Sequence, residues 1–152
     1  MNNRLNLPIA LLLGAAIATP SLAADDDPKK QAIKYRQAVM TVVGANFKPM
    51  GAMIKGEIPY DAAVFARHAK DLAAASSVDI LRGFPEDSEG KGSEAKGEIW
   101  LEWDDFKTKM EDMQREAATL AEVAAGTDKG AIKTQFGKTA DNCKACHKKF
   151  KE

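Results

Sequence analysis

Apolar residues recur along this chain at helical spacing in four separate runs, and each run is bounded by residues that start or stop helices. The first opens on Asp25-Asp26-Asp27-Pro28, acidic residues that suit a helix N-terminus followed by a proline suited to the first turn. Ile33, Met40, Phe47 and Ile54 then repeat every seventh residue, with Arg36 or Gln37, Gly44 and Gly51 between them. That stripe predicts a helix ending near Lys55-Gly56, with Pro49 kinking it or making its last turn irregular. Pro59-Tyr60-Asp61 reads as a turn and cap for a second helix carrying Phe65, Ala69, Leu72 and Ala73, which fades after Ser76-Ser77. Gly83 to Gly97, rich in glycine and glutamate with Phe84-Pro85 at its head, reads as loop and as the most mobile part of the fold. A third helix is predicted from Glu98, with Ile99, Trp103, Phe106, Met110, Met113, Ala117, Leu120 and Ala124 spaced by fours and threes. Gly126 closes it, and Thr127 or Asp128 caps a fourth, whose stripe is Ile132, Phe136, Thr139, Cys143, Cys146 or His147, and Phe150.

No run alternates with the period of a strand, and no internal repeat is present. The pattern therefore predicts an all-α fold, an up-down-up-down antiparallel four-helix bundle. Val39, Val43 and Ala63 lie off the main stripes and would permit contacts on the outer faces of the first two helices.

The segment before the bundle changes the picture. Residues 1–24 combine Arg4 with an apolar run from Leu7 to Ala18, then Pro20 and the small residues Ser21-Leu22-Ala23-Ala24, the pattern of a secretory signal. The run is short of the roughly 20 residues of a comfortable membrane span, although an uncleaved anchor is the alternative reading. Residues 25–152 then form one domain, and no other stretch could cross a bilayer, so the mature protein is expected in the periplasm, off the membrane. The whole chain balances 22 basic against 22 acidic residues, and nothing in that balance suggests a nucleic-acid partner.

The candidate chemistry sits in the fourth helix. Cys143-Lys144-Ala145-Cys146-His147 contains both cysteines of the protein, followed directly by one of its two histidines. C-x-x-C-H is the c-type haem attachment pattern, in which two thiols form thioethers with the porphyrin and the imidazole reaches the iron. On a helix Cys143 and His147 share a face at i and i+4. A thioredoxin-like pair should instead follow a strand. Zinc would require Cys146 and His147, about 100° apart on the helix, to converge with Cys143 and His68. A disulfide across two helical residues closes a strained loop. Export agrees with one covalent haem c inside one end of the bundle, where its absence would leave a cavity near Met40, Phe84, Phe136 and Cys143.

With these residues in place, the chain resembles the cytochromes c′, themselves up-down-up-down bundles. The likeness rests on Ile33-Lys34-Tyr35-Arg36-Gln37-Ala38-Val39-Met40, on Pro59-Tyr60-Asp61-Ala62-Ala63, on Glu98-Ile99-Trp100 and on the haem motif. The resemblance implies haem bound to Cys143 and Cys146, with His147 as the proximal iron ligand. It implies an apolar lid on the distal side at Met40, an arginine beside a propionate at Arg36, and an aromatic pocket residue at Phe84. It also implies binding of small neutral gases such as NO and CO, some part in electron transfer with a redox partner protein, and a homodimer; no paired carboxylate, nucleophile–base set or phosphate loop stands at a spacing that would predict an enzyme. Where many members carry an arginine four residues after the proximal histidine, this chain has Lys151, a mobile point charge in place of a planar fork.

Met40 leaves two readings open. If it only packs over the ring, the iron is five-coordinate and takes gases; if its sulfur binds, the protein is a low-spin Met40/His147 electron carrier. Simple core filling is the ordinary use of a methionine at such a position, as expected for Met50, Met53, Met110 and Met113. His68, between Arg67 and Lys70, is expected to face solvent, and Lys144, Lys148, Lys149 and Lys151 to form a solvated face that could dock an acidic redox partner.

Overall fold

The computed structural model describes residues 27–152, and the signal segment read at 1–24 lies outside them. The described residues fold into α1 (Pro28–Lys55), α2 (Ala62–Ser76), a single 3₁₀ turn (Leu81–Gly83), α3 (Glu98–Leu101), α4 (Trp103–Ala124) and α5 (Lys129–Phe150). The capping residues explain the helix starts. Asp27 accepts from the Lys29 amide with Pro28 behind it, Asp61 accepts from Val64 at 3.0 Å, and Asp128 accepts from Gly130 and Ala131 at 2.8 and 3.0 Å. Gly56 ends α1 in the left-handed region at φ 77°, where its amide reaches back to the Ala52 and Met53 carbonyls. Pro49 is accommodated inside a continuous α1.

α1 packs on α2, α2 on α4, and α4 on α5, whereas the fourth edge, between α1 and α5, is not closed by helix packing. The interior is accordingly split. One cluster, built on Met50, Phe65, Leu72, Leu120 and Ile132, fills the end near the α1–α2 and α4–α5 turns. At its edge Phe47 stacks on Phe136 at 4.6 Å, bridging α1 and α5 with aromatic rings instead of backbone proximity. The second cluster, with Ile80, Phe84, Ile99, Phe106, Met110, Cys146 and Phe150, occupies the other end. Phe106 is its hub, meeting Phe84 and Phe150 edge-on at 4.8 and 5.3 Å.

Four expectations need correction. The third predicted helix is two: backbone at Glu102 (φ −123°, ψ 47°) breaks it, and beyond the break Lys149 of α5 binds both Glu102 and Asp105. No glycine or proline marks that break, so periodicity ran through it. Val43 points into the first core and Val39 is half-buried against the second, because a 28-residue straight helix drifts off a seven-residue repeat; the exposed apolar residue of that stretch is Val42. His68 does not face solvent: it is half-buried, its Nδ1 3.0 Å from Asn46 Oδ1 across the α1–α2 interface. Phe136 belongs to the first core and takes no part in the cavity described next.

Candidate functional site

The open edge between α1 and α5 is a cavity of about 1310 Å³, above the roughly 300–1,000 Å³ of pockets for small ligands. Its α5 wall holds Cys143, Cys146 and His147. Helical spacing puts Cys143 and His147 one above the other, while Cys146 turns inward to the second core. Both thiols are free. Burial raises the Cys143 thiol above its usual range and pushes Cys146 up to about 11, against the opposing pull of Lys109. Burial, followed by the charge of Lys151, lowers His147 below the ordinary imidazole value, so its ring is neutral at pH 7 and has a nitrogen lone pair to offer. No group of three or more His, Cys, Asp or Glu able to hold a bare metal ion occurs among the described residues, which leaves the zinc alternative without a ligand set.

The α1 wall holds Arg36, Met40, Val43, Gly44 and Phe47. Met40 faces the cavity and is half-buried. One turn on, Gly44 presents no side chain, and a Cβ built there would meet nothing within 4 Å. Mid-helix glycine costs about 1 kcal/mol relative to alanine, so an open wall at this point has a reason other than helix stability. Ile99, Phe106, Met110 and Phe150 form the cavity floor. They sit in the predicted stripes, but no motif distinguished them from ordinary core. Phe84 also lines the cavity, edge-on to Phe106 and 4.6 Å beneath the Arg36 guanidinium.

The segment Tyr35-Arg36-Gln37 has a task that the sequence did not disclose. Tyr35 donates from its hydroxyl to the Asp79 carbonyl at 2.8 Å, and Gln37 donates to the Gly92 carbonyl at 2.7 Å. Between them Arg36, only 4% exposed, donates from Nη1 to the Gly83 carbonyl and Ser88 Oγ, both at 2.7 Å. Its Nη2 donates to the Ser88 carbonyl at 2.5 Å and to Ser93 Oγ at 2.6 Å. At Gly83 the loop lies close against α1: a Cβ there would lie 3.0 Å from the side chains of Tyr35 and Arg36. The far end of the same loop is tied to α5. Ala95 bridges Lys151, the Lys96 amide donates to the Phe150 carbonyl, and Lys151 Nζ pairs with Glu94 at 2.9 Å. Trp100 covers the loop head, its indole donating to the carbonyls of Phe84 and Pro85. Residues 83–96 are thus a strap joining the two helices that do not pack, and they wall the cavity between them.

Of the expected lysine face, Lys149 and Lys151 are tied into ion pairs, while Lys144 and Lys148 are exposed on the cavity rim.

A sequence model described as "Cytochrome C'" matches residues 31–151. Cytochrome c′ of Halomonas halodenitrificans is 38% identical over 128 residues, which cover 80% of this chain and 96% of that protein. Cytochrome c-554 of Cereibacter sphaeroides is 34% identical, covering 96% of this chain and 97% of its own. Among solved structures, cytochrome c prime from Shewanella frigidimarina superposes with a TM-score of 0.79 at 40% identity, covering 85% of this chain and 99% of that one. A nitric oxide complex of a cytochrome c prime variant from Alcaligenes xylosoxidans superposes with a TM-score of 0.72 at 31% identity, covering 82% and 95%.

Proposed function

The chain belongs to the cytochrome c′ family and so carries covalent haem c; on that premise we propose that it is an exported, five-coordinate haem protein that binds small neutral gases and takes part in electron transfer. The observation that carries this reading is the cavity at the one open edge of the bundle, with two free thiols and a neutral imidazole on one wall and an apolar methionine and a bare glycine on the other. A flat macrocycle suits such a slot. Gly44 leaves room for close approach, and Arg36 is a buried cation bonded in the protein to neutral acceptors, which suits it to sit near an acidic substituent of the ring.

In this reading Cys143 and Cys146 hold the ring by thioethers, and their neutral, desolvated thiols fit an addition that happens once, during maturation, better than a reversible redox role. His147 supplies the proximal nitrogen. The bound haem supplies an iron that exchanges one electron and takes a small ligand at a free axial position. Met40 covers the opposite side with an apolar, flexible chain that can swing aside, and Gly44 leaves the space for it to do so. Among the described residues the walls offer no histidine or tyrosine besides His147, and the donors of Arg36, Gln37 and Thr41 are committed to acceptors of the protein, so a ligand that needs a distal hydrogen-bond donor is disfavoured against NO or CO. The protein is a binder and carrier, not an enzyme, located in the periplasm after removal of residues 1–24, and a homodimer through the outer faces of α1 and α2, where Val42 is exposed. Sedimentation at low concentration tests the dimer, and a lone monomer would refute it.

The alternative, low-spin coordination by Met40 and His147, draws on the same placement of Met40 at the cavity. An absorption spectrum of the ferric protein separates the two. High-spin bands, unchanged in Met40→Leu, are expected. Low-spin bands with a methionine–iron charge-transfer band, lost in that variant, would overturn the gas-binding reading.

A further inference from the structure

The two helices that flank the cavity and the rest of the bundle carry opposite charge. α1 has six basic residues and no acidic one, and α5 has six lysines against Asp141 alone. The balancing carboxylates lie elsewhere: α4 has six acidic residues against three basic, and residues 77–102 have seven against three. A formal net charge of zero therefore conceals a polarised molecule, basic along the edge where the cavity opens and acidic across α4 and the strap.

The polarisation sharpens at the mouth. Lys48 from α1 and Lys144 and Lys148 from α5 line the rim, all exposed. None of the three belongs to an ion pair among the described residues. On the acidic side, by contrast, Lys107 and Lys109 pair within α4 with Glu111 and Asp105, and Lys149 of α5 reaches both Glu102 and Asp105. Three uncompensated cations, contributed by two different helices, thus stand together around the mouth of the cavity. Charges so placed steer an oppositely charged protein over about a Debye length, roughly 8 Å at physiological salt.

We propose that the rim formed by Lys48, Lys144 and Lys148 is the docking surface for an acidic one-electron carrier protein. The proposal rests on the haem reading above for its electron transfer, though not for its docking. One electron passes from the reduced partner to ferric iron, leaving ferrous iron and a partner oxidised by one electron; no bond is made or broken. An anionic membrane is the weaker match, because an extended negative sheet would also face the carboxylates of the strap beside the mouth, whereas a protein can present a limited acidic patch to the rim alone.

The test uses the mature haem-loaded protein and a reduced, acidic plant-type [2Fe–2S] ferredoxin as probe. The triple variant Lys48→Gln/Lys144→Gln/Lys148→Gln is expected to slow the second-order reduction about tenfold at low ionic strength and hardly at all in high salt. A control with the same charge change away from the mouth, Lys70→Gln/Lys107→Gln/Lys133→Gln, should leave it near the wild-type value. Amide chemical-shift changes on adding oxidised ferredoxin should cluster on α1 and α5 and vanish in the rim variant. Equal rates in the two triple variants would overturn the proposal. So would rim-dependent adsorption to phosphatidylglycerol vesicles in preference to ferredoxin, or rim-dependent self-association. Failure of the haem reading looks different: the shifts on α1 and α5 would persist and support docking, with no electron transferred.

Discussion

Replacing Arg36 with leucine puts an apolar side chain in the slot and removes the guanidinium that holds the strap to α1, leaving on the strap the Gln37 bond to the Gly92 carbonyl. Four hydrogen bonds go, and three of the stranded acceptors belong to buried residues: the Gly83 carbonyl, the Ser88 carbonyl and Ser88 Oγ. An unsatisfied buried polar group costs about 1–3 kcal/mol, and loss of the stacking on Phe84 adds roughly 1 kcal/mol. Working against this, the wild-type guanidinium is itself held at a cost, its affinity for the proton lowered by burial, and a loosened strap can rehydrate its carbonyls. The balance should be a loss of about 3–4 kcal/mol, a large part of the 5–15 kcal/mol typical of a domain. Urea unfolding of the haem-loaded protein measures it, with amide exchange at residues 83–93 showing whether the loss is local. Arg36→Lys should fall between, since a lysine keeps the charge but cannot span the Ser88 and Ser93 acceptors with a fork. If Arg36→Leu changed stability by less than about 1 kcal/mol while exchange across the strap stayed slow, the clamp would not be what shapes the cavity wall.

Gly44→Ala should raise the stability of the haem-free chain by about 0.5–1 kcal/mol through helix propensity, yet Gly44→Leu should slow CO binding to the loaded protein severalfold by taking the space into which Met40 moves; flash photolysis reads the rate, and an unchanged rate would remove Gly44 from the distal side. The raised thiol of Cys146 gives the haem-free protein an alkaline limb. The unfolded thiol ionises near its ordinary value of 9.0 while the folded one waits until about 11, so stability is whole below pH 9 and declines as pH rises through that interval. Thioether formation abolishes the titration, so urea midpoints against pH should show the limb in the haem-free chain and not in the loaded protein. Lys149→Met, which unties α5 from the break at Glu102, should lower the melting temperature in low salt and much less in 1 M NaCl, where the pairs with Glu102 and Asp105 are screened.

The sequence was most informative where one local rule governed the outcome. Asp27, Asp61 and Asp128 cap their helices because short-range hydrogen bonding is decided within three residues, and the ends of α1 and α2 were legible for that reason. Cys143, Cys146 and His147 were singled out by spacing alone, and the fold brings all three to one wall of the cavity. Features set by long-range contact were not. The break at Glu102 has no breaker residue, and its visible partner is Lys149, forty-seven positions away. Val43 and Met40 are three residues apart and both reach the cavity, Val43 from the first core and Met40 from beside the second, a division that a seven-residue stripe could not make because it depends on where α2 and α5 stand. Met110 and Ile99 read as core and are core, but core that ends at an open wall.

The same distinction explains why Tyr35-Arg36-Gln37 served as a marker of kinship before it had a physical meaning. Successive residues on a helix point about 100° apart, so three in a row cannot all face one pocket; read as a site, the segment made sense only at Arg36. Read as a clamp, the divergence is the point. Tyr35, Arg36 and Gln37 fan across roughly 200° of α1; Tyr35 holds Asp79, in the segment leading into the strap, while Arg36 and Gln37 hold the strap itself between Gly83 and Ser93. A bundle that leaves one edge open forgoes helix packing along α1 and α5, and something else must hold those helices at a fixed spacing, which under the proposed function is the spacing a flat ring requires. Here the strap does it, clamped on α1 by polar contacts to backbone carbonyls and pinned on α5 by the bridge at Ala95 and Lys151. Weakening either attachment should therefore widen the cavity before it unfolds the bundle. That order would appear as faster exchange of strap amides at denaturant concentrations where the amides of α2 and α4 remain protected.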